Sequence, residues 1–147
     1  MELIDAVTDF SIEKDIVRPE YDVEFRISAD REVFAWGRSL VPHSALCCVA
    51  YTHEIPINME QLTEYSINHS PYRGDIAVAY TVWNCSDTKG SGRSLILALQ
   101  KHFSSHAKVN RLVTLSPLTE MAKRFHLSNG ARLLSTNPES YNFEYGI

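Results

Sequence analysis

The chain has 147 residues, of which 44% are hydrophobic and 22% are charged, and its formal net charge at pH 7 is −4. This length and composition are typical of one globular domain with its own core, and they exclude a largely disordered chain. Lysine and arginine form no cluster, so the sequence lacks the electrostatic footprint of a general nucleic-acid binder. We therefore expect the partner to be a small molecule or a group carried on a protein.

The N-terminus and the hydrophobic runs indicate where the protein works. No apolar run approaches the roughly 18 residues that a membrane span needs. The acidic start MELIDAVTDF differs from the basic start of a signal peptide. We expect a cytoplasmic protein without membrane association. The cysteines, Cys47, Cys48 and Cys85, lack metal-ligand spacing and are expected to be reduced core residues.

The first half of the chain contains alternating apolar patterns. Residues 1–20 are weakly patterned, which is compatible with a short helix or a covering arm. Apolar and polar residues alternate over Tyr21–Ile27, which predicts a half-buried strand. After an apolar run at Val33–Trp36, the nearly continuous apolar segment Ala45–Thr52 predicts a buried strand. A short helix is predicted over Met59–Ile67.

The second half has a more regular order of strands and helices. A loop is predicted at His69–Arg73, and β-forming residues make Ile76–Trp83 a second buried strand. Ser94–His106 carries apolar residues at helical period and predicts an amphipathic helix. A strand, a helix and two further strands follow: Leu112–Leu115, a helix from Pro117 that ends between His126 and Gly130, Ala131–Ser135 and Tyr141–Tyr145. Without a repeat or a linker, we expect residues 1–147 to form a single mixed α/β (α+β) domain.

A polar, glycine-bearing loop, Asn84–Arg93, separates the second buried strand from the amphipathic helix. Such a loop at a helix start can bind an anion, because free backbone N–H groups point outward from the positive end of the helix dipole. It contains neither a Walker motif nor a dinucleotide fingerprint, so a plain turn is the alternative. The candidate anion-binding residues are Lys89, Gly90, Ser91, Gly92, Arg93 and Ser94.

Two polar residues flank the last predicted helix. Ser116 lies at the junction between strand and helix, and His126 lies near the helix end. Polar groups at such junctions are often functional, because the scaffold fixes them while a substrate can still reach them. The alternatives are that Ser116 is a helix cap and that His126 is a structural or surface histidine. No two histidines have the spacing of a metal pair, so we expect no metal.

Several segments, in order between residues 30 and 133, resemble the GNAT acyltransferase superfamily: REVFAWG, ALCCVAYTHEIP, IAVAYTVWNCSDTKGSGRSLILAL, VTLSPL and FHLSNGA. The last two resemble the catalytic domain of malonyl-CoA decarboxylases more closely. The resemblance implies a GNAT-like mixed central sheet with flanking helices. It also implies that the strands at 76–83 and 112–116 splay apart to admit the pantetheine arm of coenzyme A or of an acyl carrier protein.

The resemblance also implies roles for individual residues. The loop at 89–94 would hold the pyrophosphate of coenzyme A or the phosphate of a carrier-bound arm, and Ser116 and His126 would act together. Trp83, at the end of a splayed strand, is either a cofactor contact or a core residue. The implied function is decarboxylation of a malonyl-type thioester. The alternatives are an N-acyltransferase that transfers an acyl group from acyl-CoA to an amine, and a binding module without turnover.

Decarboxylation of a malonyl thioester leaves an enolate, so the site must stabilise negative charge and deliver a proton. Backbone N–H groups of the splayed strand are candidates for the first task. His126, with an ordinary pKa of about 6.5, is the candidate proton donor, and Ser116 is the candidate group to orient the carboxylate. The sequence leaves the acyl group, the acceptor and the oligomeric state open.

Overall fold

The computed structural model describes residues 1–38, 42–67, 72–86 and 89–147. Within these residues the strands and helices follow one another as β1 (Glu2–Ile4), α1 (Val23–Ile27), β2 (Arg31–Gly37), β3 (Ala45–Thr52), α2 (Met59–Tyr65), β4 (Ile76–Asn84), α3 (Ser91–Ser104), β5 (Arg111–Thr114), β6 (Ser116–Pro117), α4 (Glu120–Ser128), β7 (Arg132–Thr136) and β8 (Ser140–Tyr145). The strands form one mixed sheet in the order β1-β2-β3-β4-β5-β8-β6, and β7 pairs with β8. The β4–β5 pair is parallel, whereas the other described pairs are antiparallel.

The sheet separates two hydrophobic cores. Every residue of β3 is buried, as its continuous apolar sequence predicts, because both faces of the strand are covered. Apolar residues of α3 and the Phe125 ring of α4 pack on one face. The other face is covered by α1, α2 and residues 5–22, which we call the N-terminal arm. Of the two alternatives for residues 1–20, a short helix or a covering arm, the structure has the arm, preceded by β1.

The strand predicted at Tyr21–Ile27 is wrong, because Val23–Ile27 forms helix α1. The Asp22 carboxylate caps this helix by accepting the N–H of Phe25 at 2.9 Å. Arg26, which an alternating strand would direct to solvent, is fully buried and pairs with Asp15 at 2.7 Å. A local helix cap and a buried ion pair therefore override the two-residue periodicity of the sequence.

The boundaries around α4 also differ from the prediction. Pro117 does not open the helix, because Ser116 and Pro117 form β6 and pair with Tyr141 and Ser140 of β8. The helix begins after Thr119, whose hydroxyl accepts the N–H of Ala122 at 3.1 Å.

The end of α4 agrees with the sequence prediction, whereas the start of α3 differs from it. Gly130 has a φ of +96°, so the predicted left-handed exit after α4 is confirmed. Helix α3 begins at Ser91, three residues before the predicted start at Ser94. The predicted loop at His69–Arg73 falls largely outside the described residues, which resume at 72. In the described part of the chain, no helix is long and apolar enough to cross a membrane.

The middle of β4 contains the irregularity that opens the sheet. Cys48 pairs with Thr81, whereas the next residue of β3, Val49, pairs with Ala79, so Tyr80 is an extra residue on β4. Parallel pairing between β4 and β5 stops at Ala79 and Thr114. Beyond that point the chain that leaves β5 pairs with β8 instead. The second half of β4 and β6 therefore flank a gap, as the splayed-strand prediction requires.

Candidate active site

A cavity of about 370 Å³ occupies this gap. Its walls include β4 from Ala79 to Asn84 and the chain from Leu115 to Pro117. The other lining residues come from α4 and its cap, from the start of α3 and from the N-terminal arm: Thr119, Met121, Ala122, Phe125, His126, Gly92, Lys14, Ile16 and Val17. Ser116 and His126 therefore line the same cavity from different elements.

His126 is a buried residue of α4, with 6% of its surface exposed. Its Nδ1 lies 2.7 Å from the hydroxyl oxygen of Tyr145, and its ring centroid lies 5.2 Å from that of Phe143. Burial in this aromatic surrounding lowers the pKa of His126 from 6.5 to about 4, because the charged form loses its hydration. The ring is therefore neutral at pH 7, and the expectation based on an ordinary pKa is corrected.

The hydroxyl of Tyr145 is the hydrogen-bond partner of Nδ1 of His126. Burial raises the pKa of Tyr145, so its hydroxyl keeps its proton at neutral pH. A hydroxyl that donates to Nδ1 leaves the hydrogen of the neutral ring on Nε2, whereas the opposite tautomer makes the hydroxyl an acceptor. The first arrangement gives His126 an N–H donor in the wall of the cavity.

Ser116 is 3% exposed and forms part of β6. Its Oγ lies 2.8 Å from Oγ1 of Thr114, which accepts the N–H of Phe143 at 3.1 Å. Because Thr119 caps α4, the alternative that Ser116 serves only as a helix cap is wrong. Ser116 is instead a buried hydroxyl at the edge of the gap, held by a neighbouring threonine.

The start of α3 has the geometry of an anion-binding turn. Gly90 has a φ of +86° and precedes the helix without a side-chain cap, and the first helical turn contains no acidic residue. Residues 87–88 of this loop lie outside the described part of the chain. A helix start of this kind presents backbone N–H groups and the positive end of the helix dipole.

The six predicted anion-binding residues have different surroundings. Lys89 and Gly90 are exposed, Ser91 is buried, and the N–H of Ser94 donates to the carbonyl of Gly90 within the helix. Arg93 donates to Oδ1 of Asn129 at 3.2 Å, which ties the start of α3 to the end of α4.

Gly92 is the member of this set that lines the cavity. A Cβ at Gly92 would lie 3.3 Å from Oδ1 of Asn84 and 3.6 Å from the ring of Phe125. The glycine therefore permits the close approach of α3 to β4 and α4.

Trp83 is a core residue whose surface also lines the cavity. It is 5% exposed and belongs to the core beneath the N-terminal arm, where the Arg26 guanidinium lies 5.3 Å from the ring centroid. Its Nε1 has no hydrogen-bond partner among the described residues. The two alternatives that the sequence left open for Trp83 are therefore compatible with each other.

The N-terminal arm also contributes to the site, which was not predicted from the sequence. Oδ1 of Asp15 accepts the Thr81 hydroxyl at 2.9 Å, and Oδ2 pairs with Arg26. This buried network holds the arm against β4. Of the described residues that line the cavity, Lys14 alone carries a formal charge, and its Nζ donates to the carbonyl of Cys85 at 3.1 Å. No local motif marks these residues, because their partners are distant in the sequence.

The titratable residues show no arrangement for a metal. In residues 1–38, 42–67, 72–86 and 89–147, no group of three or more histidine, cysteine, aspartate or glutamate side chains is placed to hold a metal ion. The three cysteines are free thiols, and Cys47 and Cys48 are buried. Burial raises the pKa of Cys48 to about 12, so this thiol stays protonated and behaves as a core residue.

No protein-family model and no curated protein sequence matches this chain. Among solved structures, malonyl-CoA decarboxylase from Agrobacterium vitis aligns with a TM-score of 0.71 and 19% identity, over 92% of this chain and 56% of that chain. The malonyl-CoA decarboxylase from Cupriavidus metallidurans aligns with a TM-score of 0.64 and 15% identity, over 98% of this chain and 60% of that chain. NAA60 from Arabidopsis thaliana, in complex with a bisubstrate analogue, aligns with a TM-score of 0.57 and 16% identity, over 86% and 84%.

The chain spans 56% and 60% of the length of these two decarboxylase chains. Tetrahymena GCN5 also aligns, with a TM-score of 0.55 and 11% identity, over 86% of this chain and 74% of that chain. At such identities the likeness shows the fold, whereas an activity has to be argued from the site. The predicted fold class is confirmed: the protein has a GNAT fold, with a mixed sheet flanked by helices, and it is similar in structure to malonyl-CoA decarboxylases.

Proposed function

We propose that the protein is a decarboxylase that acts on a malonyl-type thioester of coenzyme A or of an acyl carrier protein. The observation that carries this proposal is that Ser116 and His126 line one cavity in the gap between diverging strands. A linear pantetheine arm fits such a gap, with its acyl end beside these two side chains. Likeness of the fold to malonyl-CoA decarboxylases supports the same assignment.

The phosphate end of the substrate is assigned to the start of α3. Helix α3 begins after the left-handed Gly90, and a helix start directs backbone N–H groups and the positive end of the helix dipole toward a phosphate oxygen. The helix dipole contributes about 0.3–1 kcal/mol for an anion at an exposed helix start. Lys89, exposed just before the helix, adds a positive charge.

In the chemical step, the bond between the α carbon and the carboxylate carbon breaks. Carbon dioxide leaves, and the electron pair is delocalised over the α carbon and the thioester oxygen as an enolate. The N–H at Nε2 of neutral His126 donates to this oxygen, and a preorganised donor of this type contributes about 3 kcal/mol in acyl-transfer sites. A neutral imidazole acts as an electrophile in this way in triosephosphate isomerase.

Ser116 orients the substrate and His126 completes the reaction. The Ser116 hydroxyl hydrogen-bonds the carboxylate and holds it so that the breaking bond is aligned with the thioester π system. The carbanion is a stronger base than deprotonated imidazole, so the neutral ring gives its Nε2 proton to the α carbon. Water then returns a proton to Nε2, and the hydroxide left behind combines with the carbon dioxide as bicarbonate. The Tyr145 hydroxyl stays hydrogen-bonded to Nδ1, so the ring recovers its starting tautomer.

Transfer of an acyl group to an amine is the second candidate function, and the likeness to NAA60 favours it. His126 would then give a proton to the departing thiol. Decarboxylation accounts better for the site, because the N-terminal arm, held by Asp15 and Arg26, already covers one side of the gap. A decarboxylase needs no second substrate on that side.

Incubation with malonyl-CoA, with and without a primary amine, tests the assignment by mass analysis. Formation of acetyl-CoA without the amine supports decarboxylation, and product that forms only with the amine supports transfer. Binding without any product indicates a binding module and contradicts both enzymes. His126→Ala is expected to abolish acetyl-CoA formation, whereas His102→Ala, on the far part of α3 against Phe34, is expected to retain it.

A further inference from the structure

Arg18 lies where the parallel strands part. The last hydrogen bond between them joins the N–H of Leu115 to the carbonyl of Ala79 at 2.9 Å. The next carbonyls, of Tyr80 on β4 and of Leu115 on the other side, accept from Nε and Nη2 of Arg18 at 3.3 Å and 3.2 Å. The guanidinium therefore replaces the next interstrand hydrogen bonds and closes the gap at the point where the two strands diverge.

The position of Arg18 is fixed through its own backbone. Its N–H donates to Oδ1 of Asp15 at 3.1 Å, and its carbonyl accepts from Nη2 of Arg26 at 2.6 Å. Burial lowers the pKa of Arg18, but a guanidinium remains charged at any physiological pH. Among the described residues no carboxylate forms an ion pair with it. Glu20 and Asp15 attract the guanidinium from beyond ion-pair distance, and the partly desolvated cation attracts an anionic ligand nearby in the same way.

Arg18 does not itself line the cavity, but it lies next to residues that do. Val17, Tyr80 and Leu115 line the cavity, and the Arg18 guanidinium is hydrogen-bonded to the carbonyls of Tyr80 and Leu115. Lys14 is a lining residue. Lys14 lies beside the carbonyl of Cys85, beyond the end of β4. Five positions of extended chain separate Tyr80 from Cys85, which is about 16 Å. This length is comparable with that of an extended pantetheine arm.

We infer that the N-terminal arm selects thioesters that are anionic at both ends: Arg18 attracts a free carboxylate on the acyl group, and Lys14 pairs with the phosphate of the arm. The inference rests on the proposed thioester site and assigns the residues that distinguish a malonyl group from a neutral acyl group there. Arg18 is a specificity residue that acts through its charge across the lining, and it is not a catalytic residue.

The charge of the acyl group during the reaction explains what Arg18 contributes. A malonyl group carries one negative charge as a carboxylate, and the enolate left after loss of carbon dioxide carries the same charge. Protonation of the α carbon removes that charge, so the acetyl product is neutral at this end. Arg18 therefore strengthens substrate binding and favours product release, while the rate of bond cleavage depends on it only weakly.

The test compares malonyl-CoA with propionyl-CoA, a neutral thioester of similar size. Dissociation constants are measured by calorimetry in a His126→Ala background, which prevents turnover. We expect Arg18→Gln to weaken malonyl-CoA binding by about tenfold or more, from the loss of a charge interaction at moderate dielectric, and to leave propionyl-CoA binding within about twofold. Arg18→Lys keeps the charge but loses the double hydrogen bond to the strands, and it is expected to retain most of the preference.

A matched control separates charge from folding. Arg31→Gln removes a half-buried guanidinium that bonds Phe25 and Ser66 away from the cavity, and it is expected to leave the preference unchanged. Loss of the preference in both Arg18→Lys and Arg18→Gln, together with weaker propionyl-CoA binding, would assign Arg18 a purely structural role and overturn the inference. In otherwise wild-type protein, Arg18→Gln is expected to raise KM for malonyl-CoA with little change in kcat.

The role of Lys14 at the phosphate of the pantetheine arm is tested by comparing ligands with and without that phosphate. Lys14→Gln is expected to weaken the binding of malonyl-CoA and propionyl-CoA equally, and to leave malonyl-pantetheine, which lacks the phosphate, unaffected. Equal binding of malonyl-CoA and propionyl-CoA by the His126→Ala protein would overturn the role of Arg18 while leaving decarboxylation intact. Selective binding of malonyl-CoA by wild-type protein that never releases carbon dioxide would instead overturn the proposed function alone. Binding of neither thioester would overturn both.

Discussion

The hydroxyl oxygen of Tyr145 lies 2.7 Å from Nδ1 of His126, and both residues are buried. The tyrosine stands on β8 and the histidine on α4, so the contact joins the sheet to the helix that covers the gap. Because the tyrosine keeps its proton, it is able to donate to Nδ1 of a histidine that burial keeps neutral, which is the tautomer that the proposed mechanism uses. The chemistry proposed for the site depends on this pair.

Tyr145→Phe is expected to lower kcat for malonyl-CoA by about tenfold to a hundredfold, within the range of a general acid–base contribution. The ring packing is kept, but Nδ1 of His126 loses its donor and either nitrogen can then carry the proton. The unmet hydrogen bond is expected to lower the free energy of unfolding by about 1–3 kcal/mol. Tyr141→Phe, whose ring packs on the same Phe143, is the control and should retain activity. Unchanged kcat in Tyr145→Phe would exclude the tautomer role.

Stability is expected to fall as the solution becomes acidic, because the pKa of His126 is lowered from 6.5 in the unfolded chain to about 4 in the fold. Between these pH values the unfolded chain binds the proton and the folded one does not. The decrease in the free energy of unfolding is therefore absent above about pH 6.5, grows as the pH falls and reaches about 3 kcal/mol below about pH 4. Urea denaturation at pH 7 and pH 4.5 measures most of this decrease.

The matched variants for this pH dependence are His126→Gln and His102→Gln. The first removes the buried imidazole, so its unfolding free energy should change less between the two pH values than that of the wild-type protein. The second removes a half-buried histidine on α3 and serves as the control for the loss of an imidazole elsewhere in the fold. An unaltered pH dependence in His126→Gln would show that the histidine is not buried as a neutral group.

Ser116→Ala is expected to reduce kcat and to raise KM for malonyl-CoA, because the carboxylate loses the hydroxyl that orients it. The folded state loses one hydrogen bond, to Thr114, and should be destabilised by about 0.5–1.5 kcal/mol. Ser128→Ala removes a serine hydroxyl at the exposed end of α4 and serves as the control. Steady-state kinetics on malonyl-CoA measure both variants. Wild-type kinetics in Ser116→Ala would remove the serine from the mechanism.

Asp15→Asn is expected to lower the free energy of unfolding by about 3–5 kcal/mol, because it leaves the Arg26 guanidinium without a carboxylate in a dry core. Both side chains are fully buried, and the amide has to replace a carboxylate that accepts from Arg26 and Thr81. Arg132→Gln breaks a pair in which the arginine side chain is 72% exposed, and it is expected to change stability by less than about 1 kcal/mol. Urea denaturation of the two variants measures the difference, and similar losses would contradict the buried pairing.

Elements whose signal is local were predicted correctly from the residues alone. Continuous apolar runs identified β3 and β4, helical periodicity identified α3 and α4, and the resemblance of residues 30–133 indicated the GNAT fold, which the comparisons confirm. Ser116 and His126 were predicted to be site residues from their positions beside the last predicted helix and from the same resemblance. One local pattern gave the wrong result: the alternation at Tyr21–Ile27 did not reveal that Asp22 caps a helix there.

The pKa values and hydrogen-bond partners of these side chains depend on the tertiary fold. The low pKa of His126 arises from burial, and its Nδ1 is hydrogen-bonded to a tyrosine 19 positions away. Arg18 bonds carbonyls 62 and 97 positions away, and Asp15 bonds Thr81 across 66 positions. Periodicity and motif spacing register neighbours within a few residues, whereas desolvation and hydrogen bonding depend on which distant segments the folded sheet brings together.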